Sequence, residues 1–371
     1  MQRVPARIGD PLAAIETPAL VVDLDAFEHN LDLMANAVRG SGLALRPHAK
    51  SHKCPDIAKA QVARGAVGIC CQKVAEAEAF VAAGIANVLI TNEIVAPSKI
   101  ARLAMLAKSA TIGVLVDDVR VIPDLSAAAA LAGGTLHVYV EIDVGAHRCG
   151  VAPGEAAVPL ARAIAAAPGL AFRGLHAYHG AAQHLRRPEQ RLEAIAAASR
   201  QAADTKAAIE RAGVPCPVVT GAGTGTWQLE RDSRIYTELQ PGSYVFMDAD
   251  YLRNALSPDQ HHFEHSLYVL ATVMSTPTPE RAIVDAGLKA LAFDSGPPLV
   301  HVARGLEYVK ASDEHGVLEV DPKRAQPALG DRVWLIPGHC DPTVNLYDWI
   351  VGMRGERVEC VWPVAARGAL G

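Results

Sequence analysis

Leu45-Arg-Pro-His-Ala-Lys-Ser-His-Lys53 lies between an apolar run, Gly42-Leu-Ala-Leu45, and a helical pattern that opens at Pro55. An apolar run, a polar turn and a helix start in that order make one strand–loop–helix unit. The unit recurs. Short β-rich runs stand at 43–46, 66–70, 87–91, 112–116, 136–142, 170–178, 217–220 and 236–239. Helical spacing fills the intervals at 55–64, 74–83, 97–108, 153–167, 188–212 and 226–231, and runs from 119 into an alanine-rich stretch. Eight such runs separated by helices predict an α/β protein whose strands close into a (β/α)8 TIM barrel rather than an open doubly wound sheet.

Upstream, Thr17-Pro-Ala-Leu-Val-Val-Asp23 reads as a strand. Asp25 reads as the cap of a helix whose apolar positions Phe27, Leu31, Met34 and Val38 recur at helical spacing. That helix should stop at Gly40-Ser-Gly42. Beyond Phe246 the texture changes to alternating strands at 267–275, 281–286, 317–320, 332–336 and 358–363. These predict a mostly antiparallel β domain, completed by the strand at 19–23. The expected division is a barrel over 24–245 and a β domain from 1–23 with 246–371.

The chain has 371 residues, enough for two cores, with half its residues hydrophobic and a fifth charged. Its net charge of −5 and the lack of basic runs argue against nucleic acid and for a small-molecule partner. No signal peptide or membrane span is expected. Seven scattered cysteines give no disulfide framework and suggest a reducing cytoplasm.

In a (β/α)8 barrel, functional groups follow the C-terminal ends of the strands. The first strand ends at Lys50, set among Arg46, His48, His52 and Lys53. An amine crowded by cations and partly dehydrated has a lowered pKa and attacks carbonyls, so Lys50 is a candidate Schiff-base lysine. The plainer reading is a solvated basic turn. After the seventh strand comes Thr220-Gly-Ala-Gly-Thr-Gly-Thr226, where Gly221, Gly223 and Gly225 expose backbone N–H groups and Thr224 and Thr226 add hydroxyls. Gly242, Ser243 and Tyr244 follow the eighth strand and supply the other side of a phosphate cradle. A Schiff-base lysine with a phosphate clamp predicts pyridoxal 5′-phosphate. Gln72, Arg148 and Tyr178 are the candidates to touch the cofactor, Arg148 otherwise pairing with Asp143. His179 and His184 are candidate acid/base groups.

A second constellation, Pro337-Gly-His-Cys-Asp-Pro-Thr-Val-Asn345, comes after the strand at 332–336. If the chain stays extended there, His339 and Asp341 face the same side and Cys340 the other. One imidazole and one carboxylate suit a divalent cation such as Mn²⁺ or Mg²⁺.

Together with Thr17-Pro-Ala-Leu-Val-Val-Asp23, Leu45–Lys53 and Gln240-Pro-Gly-Ser-Tyr-Val-Phe246, the stretches Glu141-Ile-Asp-Val-Gly-Ala-His-Arg-Cys-Gly150 and His339–Asn345 resemble the D-threonine aldolase family. Within it the likeness is to 3-hydroxy-D-aspartate aldolases. The resemblance implies an alanine racemase-like fold, a head-to-tail homodimer, pyridoxal phosphate on Lys50 and a metal on His339 and Asp341. It implies retro-aldol cleavage of a D-3-hydroxy amino acid, giving glycine with glyoxylate or acetaldehyde. The related D-serine and 3-hydroxyaspartate dehydratases typically carry His-x-Cys at the metal pair. Asp341 stands at that position here and leans toward the aldolase, with Cys340 beside it. A racemase and a non-catalytic pyridoxal-phosphate protein are the other readings. Arg46, Arg231 and Arg304 are candidates to bind a substrate β-carboxylate.

Overall fold

The computed structural model describes residues 3–257, 260–301 and 304–371. Strand β1 (Ala19–Asp23) leads into helix α1 (Leu24–Val38). Asp23, not Asp25, caps that helix: its carboxylate accepts the N–H groups of Asp25 and Ala26, because β1 runs to the last residue before the first helical turn. Phe27, Leu31 and Met34 form the buried face, and the helix gives way at Arg39, before Gly40 at φ +73°.

Eight parallel strands come next: β2 (Ala44–Leu45), β3 (Ile69–Cys71), β4 (Asn87–Glu93), β5 (Thr111–Val116), β6 (Leu136–Glu141), β7 (Leu170–His176), β8 (Val218–Gly221) and β9 (Glu238–Leu239). Helices α2 (Pro55–Ala63), α3 (Val74–Ala82), α4 (Pro97–Leu106), α5 (Ile122–Ala132), α6 (Val158–Ala166), α7 (Pro188–Arg211) and α8 (Trp227–Ser233) alternate with them. The sheet runs β2-β9-β8-β7-β6-β5-β4-β3, and a bridge between His48 and Cys70 joins its two ends. There the Val67 N–H donates to the Leu45 carbonyl at 2.9 Å and the Cys70 N–H to the Pro47 carbonyl at 2.8 Å. The expected barrel is present and closed.

Side chains fill the barrel, with Cys70, Leu89, Leu115 and Tyr139 forming one buried layer. Beside it, Arg46 pairs with Glu238 at 2.9 Å and donates to Asn87 at 2.8 Å. The register slips by one residue where β7 meets β6, at Gly174. Gly174 has φ +143°, and a Cβ there would lie 1.9 Å from the Val218 carbonyl oxygen, so β7 and β8 approach too closely for any other residue.

The remaining strands are β10 (Leu267–Thr278), β11 (Arg281–Val284), β12 (Leu299–Val300), β13 (Leu306–Ala311), β14 (Gly316–Val320), β15 (Arg332–Ile336), β16 (Trp349–Arg354) and β17 (Arg357–Pro363). They make a second sheet in which β1 lies between β10 (antiparallel) and β16 (parallel). Two short helices connect the layers. Helix α9 (Ala249–Leu252) donates from the Ala249 and Asp250 N–H groups to the carbonyls of Pro337 and Gly338, at 3.0 and 3.2 Å. Helix α10 (Cys340–Val344) begins immediately after His339. The extended course expected for 339–341 is therefore replaced by a helical turn. Thr343 stabilises it by donating its hydroxyl to the His339 carbonyl, and Pro342 fits the first turn, where its missing N–H costs nothing.

Candidate active site

Residues at or just beyond the C-terminal ends of β2, β3, β4, β6, β7, β8 and β9 surround a cavity of about 280 Å³ at the C-terminal mouth of the barrel. Lys50 enters it from a single 3₁₀ turn, Ala49–Ser51, capped by the His48 ring, whose Nδ1 accepts the Lys50 N–H at 3.3 Å. With Nδ1 so engaged, neutral His48 carries its proton on Nε2 and donates to Thr91 Oγ1 at 2.9 Å.

Lys50 has a different electrostatic setting from the one its sequence neighbours suggest. Its Nζ lies 2.9 Å from Asp341 Oδ2, and that carboxylate, outweighing burial, raises the amine above its ordinary pKa. The crowding cations are cancelled elsewhere. Arg46 is paired with Glu238, Lys53 pairs with Glu76 at 3.1 Å and donates to Asn345 at 2.9 Å, and burial lowers both His48 and His52, the latter to about 4. The expected depression of the Lys50 pKa is thus corrected to a rise: sequence proximity counts four positive neighbours, and folding supplies each with a partner or removes its charge.

On the far side of the cavity lie Ala222, Gly223 and Thr224. Among the described residues their N–H groups have no acceptor, and the buried Thr224 hydroxyl has no partner. Ala222 holds φ +75°, which turns this segment toward the cavity. Gly223 and Gly242 are needed for space: a Cβ would come within 2.5 Å of the Gln183 amide at the first and 2.7 Å of the His48 carbonyl oxygen at the second. Gly242 and Ser243 line the cavity too. Five expected cradle members do not. The Gly225 N–H donates to Gln183 Oε1 at 2.9 Å and the Thr226 hydroxyl to Glu230 at 2.8 Å, both away from the cavity. Thr220 is inside the barrel, donating to Glu238 at 2.8 Å and accepting from Gln240 at 2.6 Å. Gly221 is in β8, packed against the Ala177 carbonyl. Tyr244 is buried, with its hydroxyl accepting from Gln61 at 3.2 Å.

Gln72, Arg148, Tyr178 and His184 also line the cavity. The Arg148 guanidinium lies 3.7 Å from Glu141 Oε1 and is not paired with Asp143, which instead accepts the N–H groups of Gly145 and His147. The two candidate base histidines part company. His184 Nδ1 is 2.6 Å from Asp250, whose carboxylate is held in turn by Arg186 at 2.5 Å. Asp250 is kept below the usual carboxylate range: burial opposes this, and Arg186 and His184 overcome it. His179 lies outside the cavity lining, its ring against Gly145 and its buried Nδ1 without a partner.

Asp341 stands at the edge of the same site, 2.9 Å from Lys50 and accepting from the Ser243 hydroxyl at 3.4 Å, with His339 two residues before it. His339 Nδ1 is 2.6 Å from Asp294, which fixes the ring and leaves Nε2 as the nitrogen not engaged by that contact. Burial and its partners pull Asp341 in opposite directions; Lys50 and His339 prevail and hold it well below the usual range. Cys340 is fully buried, its thiol 3.3 Å from Asp341 Oδ1, and burial pushes it far above an ordinary thiol pKa. Among the described residues the one set of three ligand-type side chains within 4.8 Å of each other is elsewhere, at Glu93, Asp117 and Cys149.

Sequence reasoning puts His176 and Gln240 at strand ends but gives them no role, and it misses Tyr251. His176 ends β7 and contacts Gln240 at 3.2 Å; the strand-end rule that selects Lys50 also selects it. Tyr251 reaches the cavity from α9, after the last barrel strand, and no spacing announces it.

The family model for the alanine racemase N-terminal domain matches residues 22–250, and one for a serine dehydratase domain matches 266–353. The chain is 48% identical to a D-threonine aldolase of an Arthrobacter species over 98% of this chain and 96% of that protein. It is 49% identical to a 3-hydroxy-D-aspartate aldolase of Paracoccus denitrificans, over 98% and 95%. The solved D-threonine aldolase of Filomicrobium marinum superposes with a TM-score of 0.97 at 50% identity, covering 99% of this chain and all of that one. A D-threo-3-hydroxyaspartate dehydratase of a Delftia species is more distant, at 32% identity over 90% and 93%. Aligned nearly end to end with aldolases at about half identity, this alanine racemase-like chain belongs to the D-threonine aldolase and 3-hydroxy-D-aspartate aldolase family of carbon–carbon lyases.

Proposed function

We propose that the protein cleaves a D-3-hydroxy amino acid to glycine and an aldehyde, using pyridoxal phosphate on Lys50 and a divalent cation at His339 and Asp341. The family implies the cofactor, and the cavity fits it. A primary amine stands at one end, and three unpaired N–H groups with an orphaned hydroxyl stand at the other, beside glycines whose missing side chains leave the room. Bound there, pyridoxal phosphate supplies an electron sink for the pair left on Cα when the Cα–Cβ bond breaks.

The donor set of His339 and Asp341, with open positions, fits a hard divalent cation such as Mn²⁺ or Mg²⁺. Such a cation would supply a Lewis acid that lowers the pKa of the substrate hydroxyl. The observation that supports the reading is the Lys50–Asp341 contact at 2.9 Å, which brings the candidate cofactor lysine beside the candidate metal carboxylate. The position two after His339 holds a carboxylate, with the fully buried Cys340 thiol beside it; this favours the aldolase over the dehydratase.

His184 is the base in this reading. With Nδ1–H donated to Asp250, its Nε2 is free to take the hydroxyl proton, as Arg186 holds the carboxylate still. His184→Ala should lower kcat by about 10²–10⁴-fold, and His179→Ala by far less. Equal losses in both, measured by glycine release, would remove this assignment.

Arg148, which lines the cavity 3.7 Å from Glu141, would meet the cofactor ring or its oxygen in this reading. The three arginines that the sequence offers for a β-carboxylate do not line the cavity. Arg46 is paired in the barrel, Arg231 lies over Trp227 and beside Asp232, and Arg304 is on an exposed turn. Hydroxyaspartate and threonine both therefore belong in the first substrate panel. The division at residues 24 and 246, a head-to-tail homodimer and a cytoplasmic setting complete the proposal. All seven cysteines are free, and no helix among the described residues is long and apolar enough to cross a membrane.

The phosphate position has its own test. Gly223→Asp sets a carboxylate and its bulk among N–H groups arranged for an anion. Cofactor affinity, measured by titrating the apoenzyme, should fall by at least about tenfold while the fold persists. An unchanged affinity places the phosphate elsewhere.

A further inference from the structure

Glu230 lies in α8 behind the 222–224 turn, only 1% exposed, and the chemistry above makes no use of it. Its Oε1 accepts the Thr226 hydroxyl at 2.8 Å, and its buried Oε2 has no partner among the described residues. Thr226 Oγ1 accepts from Gln183 Nε2 at 2.8 Å, and Gln183 Oε1 accepts the Gly225 N–H at 2.9 Å. Each direction in this relay is fixed. The Gly225 N–H can only donate, which identifies the oxygen end of the Gln183 amide. The amide's NH₂ then donates to Thr226, and the Thr226 proton is left for Glu230. The Gln183 amide lies directly over Gly223, close enough to exclude a Cβ there.

We propose that Glu230 is a positioning residue for the phosphate-binding turn, acting through Thr226 and Gln183 as a neutral carboxylic acid. The inference rests on reading residues 222–224 as the phosphate site. An ionised carboxylate oxygen buried without a donor is expensive, and burial pushes the Glu230 acid up to about 7. Among the described residues no cation offsets this. Tyr236 and Tyr178, which feel its charge from the following segment and from the end of β7, are themselves uncharged, and Arg231 is turned to Asp232 at 2.7 Å. A phosphate anion across the turn adds repulsion to the ionised form. A proton on Glu230 and a phosphate at the turn therefore favour one another, and by linkage the coupling is reciprocal.

The probe is pyridoxamine 5′-phosphate binding to the apoenzyme, read by intrinsic tryptophan fluorescence; its amine cannot condense with Lys50, so the titration is free of imine formation. Affinity of the native protein should decline as pH rises through about 7, toward a limit of roughly tenfold per pH unit. Glu230→Gln, permanently neutral, should match the native protein near pH 6.5 and bind roughly tenfold tighter than it near pH 8.5. Thr226→Val cuts the relay at similar volume and should weaken binding about tenfold at both pH values, with the native fold retained by circular dichroism. The proposal is overturned if Glu230→Gln follows the native pH profile or Thr226→Val binds as the native protein does. Gly223→Asp separates the two levels: if it alone weakens binding, the phosphate reading stands and the relay fails, and if it too binds normally, the phosphate reading fails.

Discussion

Replacing Lys50 by arginine should abolish cleavage, by on the order of 10³-fold or more, while leaving the site's electrostatics in place. Arginine keeps the positive charge facing Asp341 but cannot form an imine, since its guanidinium stays protonated. Lys50→Ala should be equally inactive and should also leave the Asp341 carboxylate, 14% exposed, without its ion-pair partner. The two variants together separate the covalent role from the charge. Borohydride treatment of the loaded native enzyme, with digestion afterwards, should put the pyridoxyl group on Lys50. Lys53 is the nearest competitor in sequence, but it is buried with Glu76 and Asn345 and has no access to the cavity. Labelling there would overturn the assignment.

The second large effect is expected from the metal pair. A Lewis acid at the substrate hydroxyl is worth several kcal/mol, so losing it should cost on the order of 10³-fold in turnover. Asp341→Ala alone is ambiguous, because it also removes the anion beside Lys50. His339→Ala is the cleaner variant, since His339 pairs with Asp294 and not with Lys50. Both variants and chelator-treated native enzyme should lose turnover while retaining bound cofactor. Activity that survives in His339→Ala and in chelated enzyme, but not in Asp341→Ala, would show that Asp341 matters through Lys50 rather than through a metal. Asp341→Cys should shift preference toward Zn²⁺, as the thiolate is the softer ligand.

The barrel is legible in the sequence because each strand is short, apolar and succeeded by a helical pattern, and parallel barrel strands carry that signature locally. Lys50, Arg148 and Gly223 stand just beyond strand ends, so the position of a residue relative to its strand is enough to find them. Other features depend on distant partners and have no local signature. The rise in the Lys50 pKa comes from Asp341, nearly three hundred positions away in the chain. The choice of His184 over His179 depends on Asp250, which α9 brings in from beyond the last barrel strand. The helical turn at 340–344 reads as extended because the five-residue segment is too short to show helical periodicity, although the proline near its start is a usable signal. Thr220 resembles part of the cradle because it precedes the glycines, but it is still strand, and its hydroxyl is engaged inside the barrel by Glu238 and Gln240.

The central claim is carbon–carbon cleavage rather than elimination, and the products decide it. Purified enzyme loaded with pyridoxal phosphate and Mn²⁺ should be given 3-hydroxy-D-aspartate and D-threonine in turn, with glycine, aldehyde and ammonia all quantified. The account predicts glycine and glyoxylate or acetaldehyde in equal amounts, without ammonia. Ammonia and a keto acid, without glycine, would contradict it and assign the protein to the dehydratases.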